Sequence, residues 1–157
     1  MKIKLLEGAK APKKANMCAA GYDLYTQHDF IVQPGRNIVP TGVIFALDPG
    51  YEGHIRPRSG FSCRGIEGYP IRNGKPIFDI APRRFDADVI QGTLDSDYRN
   101  AVGIIVNNHS QAPFCIKGGT RLAQIVIEQC YMGEFVIVDS LDETERGEGG
   151  FGSSGVM

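Results

Sequence analysis

The chain has 157 residues, and its 17 Lys and Arg residues nearly balance 18 Asp and Glu residues, giving a formal net charge of −1. This length suits one domain with its own core, and 42% hydrophobic with 22% charged residues excludes a disordered or membrane-embedded chain. A balanced charge provides no general field for nucleic acid, so an anionic ligand must be bound by a local site.

The N-terminal residues lack the apolar stretch of a secretory signal. Four widely spaced cysteines form no Cys-x-x-Cys pair, and we expect them to be reduced, mostly buried or half-buried thiols. The three histidines have no metal-ligand spacing. We therefore expect a cytoplasmic protein, or one in the host cytosol or nucleus if the source is viral, with no nucleic-acid or membrane partner.

Short apolar segments alternate with turn residues along the chain. They predict strands at residues 3–6, 29–32, 37–39, 43–47, 51–56, 71–80, 102–106, 114–116, 122–127 and 135–138. The Asn73-Gly74 dipeptide is typical of a type I′ hairpin turn, and a turn or two of helix is predicted after Ser59. A strand every 8 to 12 residues or so predicts an all-β fold, a jelly-roll-like β-sandwich or barrel.

The composition changes at the C-terminal end, where Arg146 precedes five glycines and the single aromatic residue Phe151. Glycine lets backbone N–H groups turn towards an anion, and a phenyl ring offers a flat face for a base. We therefore predict a β domain over residues 1–145, with an inserted hairpin region at about 61–91, and a mobile arm over residues 146–157 that orders when a ligand binds.

Four other stretches of the sequence combine charged groups with glycine. The residues that stand out in them are Asp23 in the first, Arg58-Ser59-Gly60 in the second, Asp95 and Tyr98 in the third, and Gln124 in the fourth. A guanidinium beside a hydroxyl and a flexible backbone suits phosphate oxygens. Singly these signals are weak, because an Asp-Ser-Asp turn is usually only a turn. Their occurrence together, in this order, is informative.

In this order, from Ala19 to Gly155, the motifs resemble the five motifs of the trimeric dUTP diphosphatase (dUTPase) family. The resemblance implies a β jelly roll, a homotrimer with active sites between subunits, and hydrolysis of dUTP to dUMP and pyrophosphate with Mg²⁺. It also implies that Asp95 activates the attacking water, that Tyr98 lies against the deoxyribose, and that Asp23 supports the site and the water shell of the metal. No residue is expected to ligate Mg²⁺ directly.

The remaining site residues implied by the resemblance bind substrate. Those that hold phosphates are Arg58, Ser59, Gly60 and Gln124. Those of the mobile arm are Arg146, Phe151, Gly152 and Ser153, with Phe151 stacking on uracil.

The sequence departs from the family in two places. Thirty-one residues separate Gly60 from Gly92, more than the family usually has. We expect a surface hairpin that leaves the pocket unchanged; the alternative is an altered base preference or a partner-binding surface. Asn100 stands where the family has glycine, and asparagine tolerates a left-handed backbone, so we expect the turn to survive.

The residues alone leave two other functions open. A dCTP deaminase of the same scaffold would attack the base and release ammonia, but Tyr98 and the glycine-rich arm favour the diphosphatase. A nucleotide-sensing regulatory protein would keep the pocket without turnover, but the sequence retains Asp95.

Overall fold

A computed structural model describes residues 1–149 of the chain, and within them it contains short strands and one short helix. The strands of the first half are β1 (Lys2–Leu5), β2 (Tyr22–Tyr25), β3 (Phe30–Val32), β4 (Gly35–Pro40), β5 (Val43–Ala46) and β6 (Tyr51–Pro57). Helix α1 (Ser59–Arg64) follows directly. The all-β class and the helix after Ser59, both predicted from the sequence, are thereby confirmed.

Eight further strands follow the helix. They are β7 (Ile66–Arg72), β8 (Lys75–Pro76), β9 (Arg83–Phe85), β10 (Ala87–Ile90), β11 (Gly92–Leu94), β12 (Gly103–Asn108), β13 (Phe114–Ile116) and β14 (Arg121–Gln129). All strand pairs are antiparallel. They form the sheets β1-β5, β10-β12-β4 and β11-β6-β14-β2, and a fourth sheet, β3-β13-β7-β8, whose strand β7 also pairs with β9.

The core lies between these curled sheets and follows the alternation of each strand. In β12, Ile104 and Val106 are buried while the intervening residues are half-buried. In β6, Gly53 and Ile55 point inward and His54 and Arg56 are half-buried. This period of two is what places polar side chains of β6 and β14 on one face of their sheet.

The segment from residue 66 to residue 85, which we call the insert segment, begins and ends in the core. Its β7–β8 hairpin turns at Asn73 and Gly74, which have φ values of +51° and +73°, as a type I′ turn requires. Strand β7 pairs with β13, and Phe85 stacks on Phe114 with ring centroids 4.4 Å apart. The hairpin prediction is confirmed, but the segment is part of the core and not only a surface addition.

The strand predicted at residues 135–138 is wrong for the single chain. Among the described residues no strand follows Gln129, and Phe135 and Ile137 are 96% and 97% exposed. The apolar pattern suits a strand, but a strand also needs a backbone partner, and none is paired with it here. Strand β2 and the three strands β9, β10 and β11 were not predicted from the sequence.

The four cysteines are free thiols. Cys115 is buried and Cys130 is half-buried, whereas Cys18 and Cys63 are exposed, so burial was predicted correctly for only two of them. Burial raises the pKa of the Cys115 thiol, which keeps it protonated and unreactive. Within residues 1–149, no helix has the length and apolar character needed to cross a bilayer.

Candidate functional site

A cleft of about 450 Å³ lies where β6 runs into helix α1. Its volume falls in the range of small-molecule sites. Its walls include all five residues predicted to hold phosphates or support the site, namely Asp23, Arg58, Ser59, Gly60 and Gln124. Three separate stretches of sequence therefore meet in one place.

The register of the four-stranded sheet explains this meeting. Gln124 in β14 lies opposite Asp23 in β2 on one side and opposite Arg56 in β6 on the other. Arg58 follows the last residue of β6, and the chain then turns into α1. The sheet thus sets Asp23 and Gln124 side by side and brings the start of the helix next to them.

Asp23 holds two arginines of the cleft. Its Oδ1 lies 3.1 Å from Nε of Arg58, and its Oδ2 lies 3.5 Å from Nη1 of Arg121. The Asp23 side chain is only 13% exposed, whereas those of Arg58 and Arg121 are 30% and 54% exposed, so water screens the pair with Arg58 less than the pair with Arg121. One carboxylate therefore fixes two guanidinium groups at the edge of the cleft.

Gln124 is fixed by its surroundings. Its Nε2 donates to the carbonyl of Pro57 at 3.1 Å, while its Oε1 faces Gly21. A Cβ at residue 21 would lie 2.5 Å from that oxygen, closer than real Cβ contacts. Gly21 is therefore needed for this side chain to keep its place.

Four charged residues that were not selected from the sequence also line the cleft. They are Arg64 in α1, Glu67 in β7, Arg84 in β9 and Arg121 in β14. Glu67 and Arg84 of the insert segment thus contribute to the cleft wall, and the expectation that the insertion leaves the pocket unchanged stays a prediction. The one signal in the sequence was the adjacent pair of arginines, Arg83 and Arg84. Which of the two faces the cleft is decided by the pairing of β9 with β7, in which Arg84 lies opposite Glu67, 17 positions earlier in the chain.

Asp95 and Tyr98 are not in this cleft. Strand β11 pairs Leu94 with Gly53, so Asp95 comes beside Glu52, at the other end of β6 from Arg58. Six residues of strand at about 3.3 Å each put roughly 20 Å between these two sites. Both Asp95 and Tyr98 are exposed, in a turn where the Tyr98 N–H donates to the Asp95 carbonyl at 3.2 Å.

The remaining predicted site residues lie close to residue 149, the last described residue, or beyond it. Arg146 is exposed, and its Nε donates to the Gly149 carbonyl at 2.8 Å; it does not line the cleft. Phe151, Gly152 and Ser153 lie outside the described residues. Among residues 1–149, Asn73 is the only residue other than glycine with a positive φ, so Asn100 does not need the left-handed conformation.

Away from the cleft, His109 has a raised pKa. The hydrogen bond from His109 to Asp88, 2.7 Å long, raises the pKa of the imidazole, and the charges of Asp88 and Asp86 act in the same direction. Within the described part of the chain, no three His, Cys, Asp or Glu side chains are grouped as metal ligands.

The sequence matches the family model described as dUTPase over residues 7–75 and 82–155. The unmatched residues 76–81 fall inside the insert segment. Over 159 aligned positions the chain is 39% identical to the deoxyuridine 5'-triphosphate nucleotidohydrolase of Syntrophotalea carbinolica, and the alignment covers 99% of this chain and 96% of that protein.

Two solved structures of phage enzymes resemble the fold. A mutant dUTPase of Staphylococcus bacteriophage 80alpha with dUpNHpp has a TM-score of 0.80 at 23% identity, with 99% of this chain and 98% of that chain covered. A mutant dUTPase of phage phi11 of S. aureus, described with a structural Mg(II) ion, has a TM-score of 0.70 at 21% identity, with 88% and 96% covered.

Proposed function

The chain belongs to the dUTPase family, and on that premise we propose that it hydrolyses dUTP to dUMP and pyrophosphate. The observation that carries the proposal is the cleft in which Arg58, Ser59, Gly60 and Gln124 converge. These are the residues whose family counterparts hold phosphates.

The cleft residues bind and orient the phosphate chain. Arginine offers a planar fork of N–H donors that matches phosphate oxygens, and Asp23 holds Arg58 and Arg121 in fixed orientations before substrate arrives. Gln124 and the Ser59 hydroxyl add neutral polar groups. Such preorganised groups offset charge on the leaving pyrophosphate without having to reorganise during the reaction.

Asp95 is proposed as the general base. A carboxylate can take a proton from water as the water attacks phosphorus, and Asp95 is exposed and accessible to solvent. Tyr98 lies in the same turn and would pack against C2′ of the deoxyribose, where a 2′-hydroxyl would clash. This steric exclusion would discriminate dUTP from UTP.

We propose a homotrimer because one chain cannot complete this site. Asp95 and Arg58 lie at opposite ends of β6, roughly 20 Å apart by strand length, whereas both must act on one triphosphate. A second copy can supply Asp95 and Tyr98 to the cleft of the first. Closed head-to-tail contact of identical chains produces rings in which every site is complete.

The exposed C-terminal segment supports the same proposal. Residues Phe135, Val136 and Ile137 are 96%, 82% and 97% exposed, and a run of exposed apolar residues marks an interaction surface. On a neighbouring copy this run can form the strand that its sequence predicts, and it would carry the arm with Arg146 and Phe151 towards a neighbouring site. The roles of Arg146, Phe151, Gly152 and Ser153 in closing over the substrate stay predictions.

Mg²⁺ fits this site as a hydrated ion bound to the substrate. The cleft is lined with four arginines and only two carboxylates, and Asp23 is already paired with Arg58 and Arg121. Mg²⁺ keeps several waters and prefers phosphate oxygens, so Asp23 and the phosphates would hold it through that shell. When bound, the ion offsets negative charge on the triphosphate. We also propose a cytoplasmic location, which the four free thiols support.

The direct test measures pyrophosphate release with dUTP, UTP, dCTP and dTTP in parallel, with and without Mg²⁺. We expect dUTP to be turned over fastest and the rate to fall when Mg²⁺ is chelated. Release of ammonia from dCTP without pyrophosphate would support the deaminase alternative instead. Tight binding of dUTP without turnover would support a sensor. Either result would overturn the proposal.

A further inference from the structure

The insert segment contributes an arginine to the phosphate cleft. Arg84 lies in β9, and its Nη1 donates to the Gly65 carbonyl at 3.1 Å. Its Nη2 lies 2.6 Å from Oε1 of Glu67 in the paired strand β7. A backbone carbonyl and a side-chain carboxylate thus orient the guanidinium together at the wall of the cleft.

A buried phenyl ring ties Arg84 to Arg58. The guanidinium carbon of Arg84 lies 5.7 Å from the centroid of the Phe61 ring, and that of Arg58 lies 5.8 Å from the same centroid. Phe61 is only 7% exposed, so the ring is fixed by the core. Arg84 is therefore positioned by the same ring as the arginine already assigned to phosphate binding.

Arg84 retains capacity for a ligand. A guanidinium has five N–H donors, and the contacts with Gly65 and Glu67 use two of them. Its side chain is 34% exposed, which leaves a face open to the cleft.

The charge of the cleft favours a polyanion. Arg58, Arg64, Arg84 and Arg121 line it together with Asp23 and Glu67, an excess of two positive charges in a chain whose formal net charge is −1. Asp23 is shared by two of the arginines, and Glu67 pairs with Arg84. Without an anion, the guanidinium groups would repel one another in a confined space.

We propose that Arg84 contacts the phosphates that leave as pyrophosphate. The proposal rests on the function proposed above: since Asp95 must reach the α-phosphate from a second copy, the β- and γ-phosphates occupy the arginine-lined cleft. The insert segment would then help the enzyme to distinguish a triphosphate from a monophosphate, while Glu67 keeps Arg84 oriented.

The test compares Arg84→Gln and Arg84→Lys with Arg83→Gln as the matched control. Arg83 lies in the same strand, stacks on Phe85 at 5.2 Å and does not line the cleft. Calorimetry gives the Kd of dUpNHpp, whose imido bridge resists hydrolysis, and the Kd of dUMP. Steady-state kinetics gives KM and kcat for dUTP, and thermal unfolding gives Tm.

For Arg84→Gln we expect dUpNHpp binding to weaken roughly ten- to a hundredfold, the usual range for a lost charged hydrogen bond. KM should rise with it, while kcat, dUMP binding and Tm stay close to wild type. Arg84→Lys keeps the positive charge but lacks the planar fork of N–H donors, so its affinity for dUpNHpp should lie between those of Arg84→Gln and the wild type. Arg83→Gln should match wild type throughout.

Two results would overturn the inference and leave the proposed function intact. One is an Arg84→Gln enzyme that binds dUpNHpp as tightly as Arg83→Gln does. The other is an equal loss of dUpNHpp and dUMP binding together with a lower Tm, which would show that Arg84 only supports the fold. Failure of the wild-type protein to bind dUpNHpp or to hydrolyse dUTP would instead contradict the proposed function itself.

Discussion

Nε of Arg58 lies 3.1 Å from Oδ1 of Asp23, although 34 residues separate them in the sequence. The pair joins two of the motifs at the edge of the cleft, with Arg121 near the other carboxylate oxygen. Asp23 is the only carboxylate that touches both arginines among the ion pairs of residues 1–149. We therefore propose that its main task in this geometry is to orient cations for an anionic substrate.

Replacing Asp23 with Asn should raise KM for dUTP by about tenfold, in line with the loss of a charge-assisted hydrogen bond. The amide cannot hold two guanidinium groups, so Arg58 and Arg121 would lose their fixed orientation. Steady-state kinetics checks this, with Asp48→Asn as control because Asp48 pairs only with the N-terminal amine at the surface. A lower KM would show that the negative charge of Asp23 mainly repels the substrate, which would contradict its proposed role in orienting Arg58 and Arg121.

Replacing Phe85 with Ala should lower the free energy of unfolding by about 3 kcal/mol, as for other large-to-small core changes. Phe85 is 9% exposed and stacks on Phe114. Phe78→Ala is the matched control: Phe78 is 40% exposed and packs edge-on against Tyr69, so its loss should cost about 1 kcal/mol. Urea unfolding at equal protein concentration measures both. Equal effects would contradict the view that the insert segment is part of the core.

Local patterns predicted much of this fold. The Asn73-Gly74 turn and the strand at residues 114–116 were correct because turn chemistry and apolar runs act over a few residues. The positions of Glu67 and Arg84 were not predictable in this way, since they depend on the pairing of β7 with β9. The strand at residues 135–138 failed for a different reason: its apolar pattern suits a strand, but within residues 1–149 no other strand pairs with it.

Replacing Ile137 with Asp should prevent trimer formation and leave the fold of the single chain intact. Ile137 is 97% exposed in that fold, so a charge costs nothing there, whereas a charge buried against a neighbouring copy is costly. Analytical ultracentrifugation gives the mass. Met17→Asp is the control, since Met17 is 96% exposed and lies far along the chain from residues 135–137. A variant that stays trimeric would show that this segment is not at the interface.

Replacing His109 with Gln should destabilise the protein at about pH 5.5 more than at about pH 8.5. The pKa of His109 is raised above its usual 6.5 by its hydrogen bond to Asp88, so its contribution is fully present below the unfolded-state pKa and is lost as pH rises through the folded-state pKa. Thermal unfolding of both proteins across this range measures the difference. A difference in Tm that grows with pH would contradict the assignment.

We propose that each site combines Arg58 of one copy with Asp95 of another. The most direct test mixes two inactive variants, Arg58→Ala and Asp95→Asn, and reassembles them together. Random mixing in a trimer leaves about a quarter of the sites with both residues intact, so pyrophosphate release from dUTP should return to about that fraction of the wild-type rate. Activity that stays at the level of the separate variants would contradict a shared site.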